Sequence, residues 1–445
     1  MSQSAVGPES TMTPKRSRVV AWALWDCGFV GMYSIVVTFV FSVYLTEVVG
    51  EGMPGGASPA SWLGRALTIA GIVVAVLAPV TGVWVQAPRL RVRALAVLTS
   101  VAVALTASMS LIRDDPSYLF IGLALLAATA ACGDLAGVPY NAMLKQVSTP
   151  QTSGRISGLG SGAGYLGSVA LLLIVYACFI VGDGSTRGLF GVPAQDGWNI
   201  RIVMLAAAVW FLGFALPLLL TARHIVPAAD PAYEPVGLIG AYRTVWADVS
   251  AEWRRDRNVV IYLIASAIFR DGLTGVFTFG AVLGVKVFGI SQADVLIFGA
   301  VACVVAAIGA VLGGQIDDRI GSKPVIVGSL SLMIVIGLVL LTLSGPLAFW
   351  ACGLALCFFL GPTQASARTL LVRMAADGRE AVIFGLYTMT GRAVSFLAPW
   401  LFFVFVDAFG ADRAGLGGIS VVLVLGLLVM LFVRAPGPIR ADRTG

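Results

Sequence analysis

Six ionisable side chains stand inside long apolar stretches of this sequence, where carboxylate and guanidinium groups can bind a solute or carry a proton. At membrane depth each would cost roughly 2.5–3.5 kcal/mol unless it meets an opposite charge or a water-filled cavity. The six residues are Asp26, Asp134, Arg270, Asp271, Arg368 and Arg392. We expect Arg270, Asp271 and Arg392 to bind a substrate or a proton. For Asp26 and Arg368, nearer the helix ends, a structural pair is an equally good interpretation.

Composition indicates that these stretches cross a membrane. Of the 445 residues, 58% are hydrophobic and 12% are charged, and the mean hydropathy is +0.93, which excludes an ordinary soluble domain. Twelve apolar runs are long enough to span a bilayer. They lie near residues 19–46, 61–86, 92–112, 117–141, 154–181, 199–221, 259–286, 292–315, 323–343, 346–371, 381–408 and 415–433. We therefore predict an all-α membrane protein with twelve transmembrane helices.

The distribution of positive charge predicts the orientation. With a cytoplasmic N-terminus, roughly 20 of the 29 lysines and arginines fall on the inner side of the membrane. Both termini are then cytoplasmic. The cations behind the net charge of +6 set the membrane topology and do not indicate nucleic-acid binding. The predicted parts are a tail at 1–18, a six-helix lobe at 19–221, a linker at 222–258, a second six-helix lobe at 259–434 and a tail at 435–445.

The linker contains apolar residues at helical spacing, among them Leu238, Tyr242, Val245 and Trp246, opposite a polar face. This pattern is typical of an amphipathic helix on the inner membrane surface, with lipids as its partners. A helix that docks a partner protein is the alternative interpretation.

A charged loop between two of the apolar runs has a specific order of residues. It contains Gly314, Asp318, Arg319, Gly321 and Lys323, which we interpret as a gating loop. Glycines let the loop approach a neighbour closely, and we expect Asp318 to bind the free N–H groups at the start of helix 5, around residues 153–157. We expect Arg319 and Lys323 to stay in water or on lipid phosphates.

The two halves carry traces of an internal repeat, as in duplicated transporter lobes. The segment Gly82–Gln86 precedes a cluster of arginines as Gly314–Asp318 precedes Arg319. In this alignment Gln86 takes the position of Asp318. We therefore expect its contact with the start of helix 11, near residues 379–383, to lack the charge.

The loop order Gly-x-x-x-Asp-Arg-x-Gly-x-Lys resembles the signature loop of the major facilitator superfamily. A narrower resemblance is to its vacuole-effluxer branch, named for an autophagy-related exporter of amino acids from the yeast vacuole. That resemblance is carried by Trp22–Asp26, Thr38–Thr46, Tyr140–Leu144, Arg155–Gly160, Gly164–Gly167, Asp271-Gly272 and Phe384–Tyr387. It implies two pseudo-symmetric six-helix lobes, with helices 1, 4, 7 and 10 around a central cavity. The chain departs from the branch at Cys27 and at Gln86.

Three further polar residues complete the predicted substrate or proton site. Tyr33 lies on the same helical face as Asp26, and Asn141 lies on the same face as Asp134. Gln364 belongs to the family-like segment that ends at Arg368.

Enzymatic chemistry finds little support in the sequence. It contains no G-x-x-x-x-G-K-[ST] phosphate loop and no residues at metal-ligand spacing, and its single histidine is His224. We expect no enzymatic activity, no metal and no cofactor.

These observations favour a secondary active transporter in the bacterial cytoplasmic membrane, monomeric, moving a small polar solute with proton coupling by alternating access. An amino-acid-like solute suits the mixed charges. A proton-coupled exporter of drugs or amphiphiles is the alternative function, and a transporter-shaped sensor without flux is a third possibility.

Overall fold

A computed structural model describes residues 15–51, 58–182, 185–225 and 237–436 of the chain. Most of each predicted tail, and residues 226–236 of the predicted linker, lie outside these ranges. The division into tails, lobes and linker at the predicted boundaries therefore stays a prediction.

Within these ranges twelve helices are long and apolar enough to cross a membrane, which confirms the predicted fold class. We number them span 1 to span 12. Their bounds are Arg16–Val49, Pro59–Trp84, Pro88–Leu111, Pro116–Ala142, Ser153–Ile180, Gln195–Arg223, Arg257–Lys286, Ile297–Ile320, Ser322–Thr342, Pro346–Met374, Glu380–Phe409 and Asp412–Phe432. The helix of span 8 begins earlier, at Gln292, and a two-stranded hairpin pairs Thr186–Arg187 with Val192–Pro193.

Successive spans run in opposite directions, so the loops after even-numbered spans share one face of the bundle with the described ends of the chain. We call this side the termini face and the opposite side the far face. Spans 1–6 form the N-terminal lobe and spans 7–12 the C-terminal lobe. The lobes meet along two seams, where span 5 packs on span 8 and span 2 packs on span 11.

Glycines make both seams close, as small residues do where helices pack in lipid. At Gly158 an added Cβ would lie 2.4 Å from the carbonyl oxygen of Ala310, and at Gly314 it would lie 2.4 Å from that of Gly154. On the other seam, Cβ atoms at Gly82 and Gly385 would meet the carbonyls of Ala381 and Ala78. Gly154, Gly158 and Gly162 of span 5 thus let this helix pack closely on span 8.

The tight packing is confined to the half of each seam nearer the termini face. Span 11 is buried from Glu380 to Tyr387, and the next nine residues, through Phe396, are partly or fully exposed. On span 5 the last glycine at which an added Cβ would meet span 8 is Gly162. The lobes are therefore sealed together at the termini face and separate toward the far face.

Span 11 consists of two helices, Glu380–Val394 and Leu397–Phe409. The sequence explains the break, because Pro399 has no N–H and its ring would clash with the carbonyl of Ser395 in a continuous helix. Pro399 instead occupies the first turn of the second helix, where proline is tolerated. The break lies three residues after Arg392.

A separate helix, Leu238–Arg255, precedes span 7 and is called the linker helix below. Ala241 and Val245 are buried in contact with the bundle, whereas Ile239 and Trp246 are exposed. The amphipathic pattern is therefore present, with a wide apolar side and a polar side. The hydroxyl of Tyr242 donates to the carbonyl of Val76 and ties the linker helix to span 2.

The substitution Gly314→Ala should weaken the seam between spans 5 and 8, because its methyl group would collide with the backbone of Gly154. Overpacking of this kind costs about 1–3 kcal/mol. We expect a lower Tm in detergent and faster labelling of a cysteine placed at the buried Ser153 by a polar thiol reagent, in a background without native cysteines.

The matched control is Gly299→Ala on the same helix, where an added Cβ meets nothing within 4 Å. That variant should keep its Tm or gain from the higher helix propensity of alanine. Equal behaviour of the two variants would show that the close approach at Gly314 does not limit packing.

Candidate functional site

A carboxylate of span 4 and an arginine of span 11 pair across the lobes. An Nη atom of Arg392 donates to Asp134, and Tyr33 of span 1 lies beside this pair. The side chains of Arg392 and Asp134 are 33% and 20% exposed. Arg392 lies one and a half turns beyond the sealed part of span 11, so the pair stands where the gap between the lobes begins.

Arg270 of span 7 contacts the same part of span 11 but has a different environment. Its Nη1 donates to the carbonyl of Tyr387 at 3.1 Å, and its guanidinium lies 3.8 Å from the centre of the Tyr387 ring. A Cβ added at Gly391 would lie 3.0 Å from Arg270 Nη1. No ion pair of Arg270 occurs among the described residues, so its positive charge is balanced only by a carbonyl and an aromatic face. An anionic solute group could bind such a guanidinium directly.

Asp271, the next residue, points elsewhere. Its Oδ2 accepts a hydrogen bond from the backbone N–H of Ala398 at 2.5 Å, and the residue is 5% exposed. Ala398 is in the first turn of the second helix of span 11, so Asp271 supplies the helix cap that Phe396 cannot. The structure therefore does not bring Asp271 together with Arg270 in one exposed site.

Arg368 of span 10 joins the C-terminal lobe to three spans of the N-terminal lobe. It pairs with Asp26 at 3.2 Å, and it donates to Asn141 Oδ1 at 3.4 Å, to the carbonyl of Ser157 at 3.0 Å and to Ser161 Oγ. The Asp26 and Arg368 side chains are only 11% and 13% exposed. These contacts favour the structural interpretation of the pair, as a bond that holds the lobes together.

Aromatic residues of the N-terminal lobe hold the backbone around Asp26 in place. Trp22 stacks on Tyr140 with ring centres 4.6 Å apart, and each ring donates a hydrogen bond to the backbone carbonyl of the other residue. Trp25 stacks on the same tyrosine at 4.3 Å. Spans 1 and 4 are thus rigidly joined where they present Asp26 and Asn141 to Arg368. Nearby, the hydroxyl of Tyr165 donates to Gln364 Oε1 at 3.2 Å and adds another bond between lobes.

The predicted contact of Asp318 with the start of span 5 is confirmed. Its Oδ1 accepts from the N–H of Gly154 at 2.7 Å and its Oδ2 from the N–H of Arg155 at 3.0 Å. Arg373, which the sequence interpretation missed, bonds both Asp317 and Asp318, at 2.5 and 3.1 Å. Asp317, also missed, is fully buried and accepts from the hydroxyl of Ser322.

The remaining members of the gating loop behave differently from one another. Arg319 is exposed, as expected, and Gly321 has a φ of +93°, which glycine alone adopts readily. The expectation that Lys323 stays in water or on lipid is wrong. Its Nζ donates to the carbonyls of Leu431 and Val433, where the last carbonyls of span 12 lack helical partners.

At the termini face of the seam between spans 2 and 11, residues other than Gln86 supply a charged cluster that the sequence interpretation missed. Glu380, the first residue of span 11, pairs with Arg91 at 3.8 Å and with Lys145 at 2.8 Å. Lys145 also contacts Asp377 at 2.6 Å. The carboxylate that Gln86 does not provide is present at the start of span 11 instead. We call Arg91, Lys145, Asp377 and Glu380 the second seam cluster.

A second trace of the internal repeat, Ile156-Ser157-Gly158-Leu159 aligned with Ile383-Phe384-Gly385-Leu386, is a sequence signal for this cluster. The same offset places Ser153 opposite Glu380 and places Lys145 within one residue of Arg373. Both cations therefore stand at the end of the fourth span of their lobe and face the seam. A search of the repeat for charged residues at both helices of each seam would have identified Lys145 and Arg373.

Lys145 and Asp377 lie outside the membrane-spanning segments, and each influences the other's ionisation. Partial burial opposes the charge of Lys145, but its hydrogen bonds to Asp377 and Glu380 outweigh this and raise its pKa. The hydrogen bond from Lys145 lowers the pKa of Asp377. The contribution of Asp377 to the sealed state is therefore complete above the ordinary carboxyl pKa and is lost as the pH falls through the lowered one.

Comparison with known proteins gives a consistent picture. The family described as vacuole effluxer Atg22 like matches residues 141–439. The MFS-type transporter YxiO of Bacillus subtilis is 22% identical over 413 residues, covering 93% of this chain and 94% of the relative. Autophagy-related protein 22 of Yarrowia lipolytica is 24% identical over 308 residues, covering 63% of this chain. The chain spans about half the length of the fungal relatives that it matches.

Solved structures of the major facilitator superfamily share the fold. The proton:xylose symporter XylE, bound to 6-bromo-6-deoxy-D-glucose, superposes with a TM-score of 0.71 at 15% identity, covering 95% of this chain and 96% of the symporter. The transporter FucP, in its outward conformation, gives a TM-score of 0.68 at 13% identity, covering 94% of this chain and all of FucP.

The substitution Glu380→Gln should release the seal at the termini face. It removes the carboxylate from Arg91, which is 2% exposed and already has one Nη atom without a partner. An uncompensated buried charge costs about 3–5 kcal/mol, enough to favour an unsealed conformation. Labelling of the cysteine at position 153 should accelerate by more than an order of magnitude.

The control is Asp377→Asn, which removes the exposed carboxylate from the same lysine. An exposed pair contributes little, so this variant should label about as slowly as the parent. Slow labelling of Glu380→Gln would show that the second seam cluster does not hold the seal.

Proposed function

Because this chain belongs to the vacuole effluxer Atg22-like family and has the fold of major facilitator transporters, we propose that it carries a small polar solute by proton-coupled alternating access. The family membership makes it a membrane transporter. The solute class, the coupling of transport to protons and the alternating-access mechanism are our proposal. The arrangement of charged residues between the lobes supports it.

The observation that carries the proposal is the group of partly exposed charges above the sealed seam. Arg270 of span 7 lies against Gly391 of span 11, beside Arg392, and Asp134 and Tyr33 approach from the other lobe. A zwitterion such as an amino acid fits this set, since its carboxylate can bind the guanidinium of Arg270 and its ammonium can bind Asp134. The solute would then replace part of the Asp134–Arg392 pair and favour closure of the lobes around it.

Asp271 is our candidate for the proton-coupling residue, acting through span 11 rather than on the solute. An ionised carboxylate binds the N–H of Ala398 more strongly than a neutral carboxyl does. Taking up a proton would therefore loosen the second helix of span 11 from span 7, a few residues from Arg392. Asp26 is the other candidate, because neutralising it would break its bond to Arg368 and free the lobes.

The networks at the termini face provide the other half of the cycle. Asp318, at the end of span 8, bonds the start of span 5, and Glu380, at the start of span 11, bonds Lys145 of the other lobe. Both bonds must break for the termini face to open. A contact of a carboxylate with a helix N-terminus contributes up to about 2 kcal/mol where it is partly buried, as that of Asp318 is, so Asp318 can act as a reversible latch. Arg319 marks this face as cytoplasmic in the proposed orientation, in a bacterial inner membrane, with the protein acting as a monomer.

Reconstitution tests the function. Purified protein in proteoliposomes should exchange a radiolabelled amino acid or a related zwitterion with unlabelled solute, and an inward pH gradient should drive its accumulation. Replacing Arg270 by Gln should weaken solute binding, because the carboxylate loses its partner. Exchange of bulky amphiphilic cations in place of zwitterions would contradict the solute class, and binding without any flux would contradict transport itself.

The substitution Asp271→Asn should separate coupling from exchange. The asparagine cannot take up a proton, so accumulation driven by a pH gradient should fall by at least about tenfold while solute exchange continues. The control Asp407→Asn changes an exposed carboxylate on the second helix of span 11, the helix that Asp271 caps. This variant should behave like the parent. Undiminished proton-driven flux in Asp271→Asn would remove Asp271 from the coupling role.

A further inference from the structure

An apolar groove runs along the outside of the bundle between the linker helix, span 7 and span 11. Its walls are almost entirely aliphatic, with one thioether and one hydroxyl, and an arginine stands at its end on the termini face. The lining residues are Val249, Val259, Val260, Leu263, Ile264, Arg379, Val382, Ile383, Leu386, Met389 and Thr390. Ile264 is 48% exposed, so the groove is open to the surroundings of the bundle.

The length of the groove matches one leaflet of a bilayer. Along span 11 it extends from Arg379 to Thr390, which at 1.5 Å per residue is about 16 Å. The hydrocarbon core of a bilayer is about 30 Å thick, so one leaflet provides about 15 Å. An acyl chain that lies in the groove would therefore have its ester and phosphate groups at the level of Arg379.

Positive charge surrounds this level of the molecule. Arg379 and Arg254 are exposed, and the guanidinium of Arg257 lies 5.5 Å from the centre of the Trp253 ring. Exposed Ile239 and Trp246 mark the side of the linker helix that enters the membrane interface. Arginines beside an interfacial aromatic stripe are the usual recognition elements for an anionic headgroup.

We propose that an anionic phospholipid of the leaflet at the termini face binds this groove, with its acyl chain against spans 7 and 11 and its phosphate at Arg379. Its presence also stabilises the conformation that is sealed at the termini face. The linker helix contacts both span 7 and, through Tyr242, span 2 of the N-terminal lobe, whereas the other walls of the groove belong to the C-terminal lobe. Rotation of the lobes changes the groove, so a lipid that fits it favours the state in which it is formed.

Binding is measured first, without any transport. The intact protein, purified in mild detergent with equal amounts of phosphatidylglycerol and phosphatidylcholine, is examined by native mass spectrometry. Phosphatidylglycerol should be retained about fivefold more than phosphatidylcholine, as one arginine at a lipid surface contributes. Arg379→Gln should remove this preference, and Ile264→Trp, which fills the groove from an exposed position, should remove retention of both lipids.

Arg93→Gln is the control, because Arg93 is an exposed cation on the same face that does not line the groove. It should retain phosphatidylglycerol like the parent. Only variants whose Tm equals that of the parent are compared. Equal retention of the two lipids by the parent, or unchanged retention in Ile264→Trp, would overturn the lipid site.

The conformational part of the proposal rests on the proposed alternating access and has its own measurement. Labelling of the cysteine at position 153 should be several-fold slower in nanodiscs of phosphatidylglycerol than in phosphatidylcholine, and Ile264→Trp should abolish the difference. Labelling that is equal in both lipids would overturn the stabilisation while leaving the binding result intact. A protein that binds the lipid but carries no solute would contradict the proposed function and not the lipid site.

Discussion

A charge inside the hydrocarbon layer needs a partner, and in this chain the partner usually belongs to the other lobe. Asp26 bonds Arg368, Asp134 bonds Arg392, and the carboxylates of Asp318 and Glu380 each bond the start or end of a helix across a seam. Separating the lobes would leave these charges without partners, and the free-energy cost of doing so stabilises the contact between the lobes. The same bonds can be exchanged for solute, water or a proton, so the seams combine specificity with reversibility.

The two seams place their carboxylates in different ways. At the seam of spans 5 and 8, Asp318 comes from the end of span 8 and binds the free N–H groups of span 5. At the seam of spans 2 and 11, Glu380 is part of span 11 itself and faces Arg91 and Lys145. The first seam adds Arg373, which bonds both Asp317 and Asp318. The second combines the buried Arg91 with the partly exposed Lys145. The two seams are therefore similar in fold but differ in how their charges are arranged.

Much of this arrangement could be predicted from sequence because membrane helices are long and apolar. The number of spans, the packing role of the glycines and the contact of Asp318 all follow from local pattern and spacing. Lys323 and Glu380 could not be placed this way, since a cation or carboxylate near a helix end has several possible partners and only the fold selects one. Asp271 was found as a charge in a span, but its partner depends on a break in another span, near Pro399. Distant pairings of this kind require the packing to be known.

The break in span 11 divides one transmembrane element into two rigid pieces with separate attachments. The first piece is embedded in the seam with span 2, and the second packs against Asp271 and span 12. In the proposed transport cycle, the thirteen-residue helix Leu397–Phe409 would move over the bound solute while the base of span 11 stays in place. This joint would then give an occluded intermediate, closed on both sides, without requiring both lobes to rock as complete units.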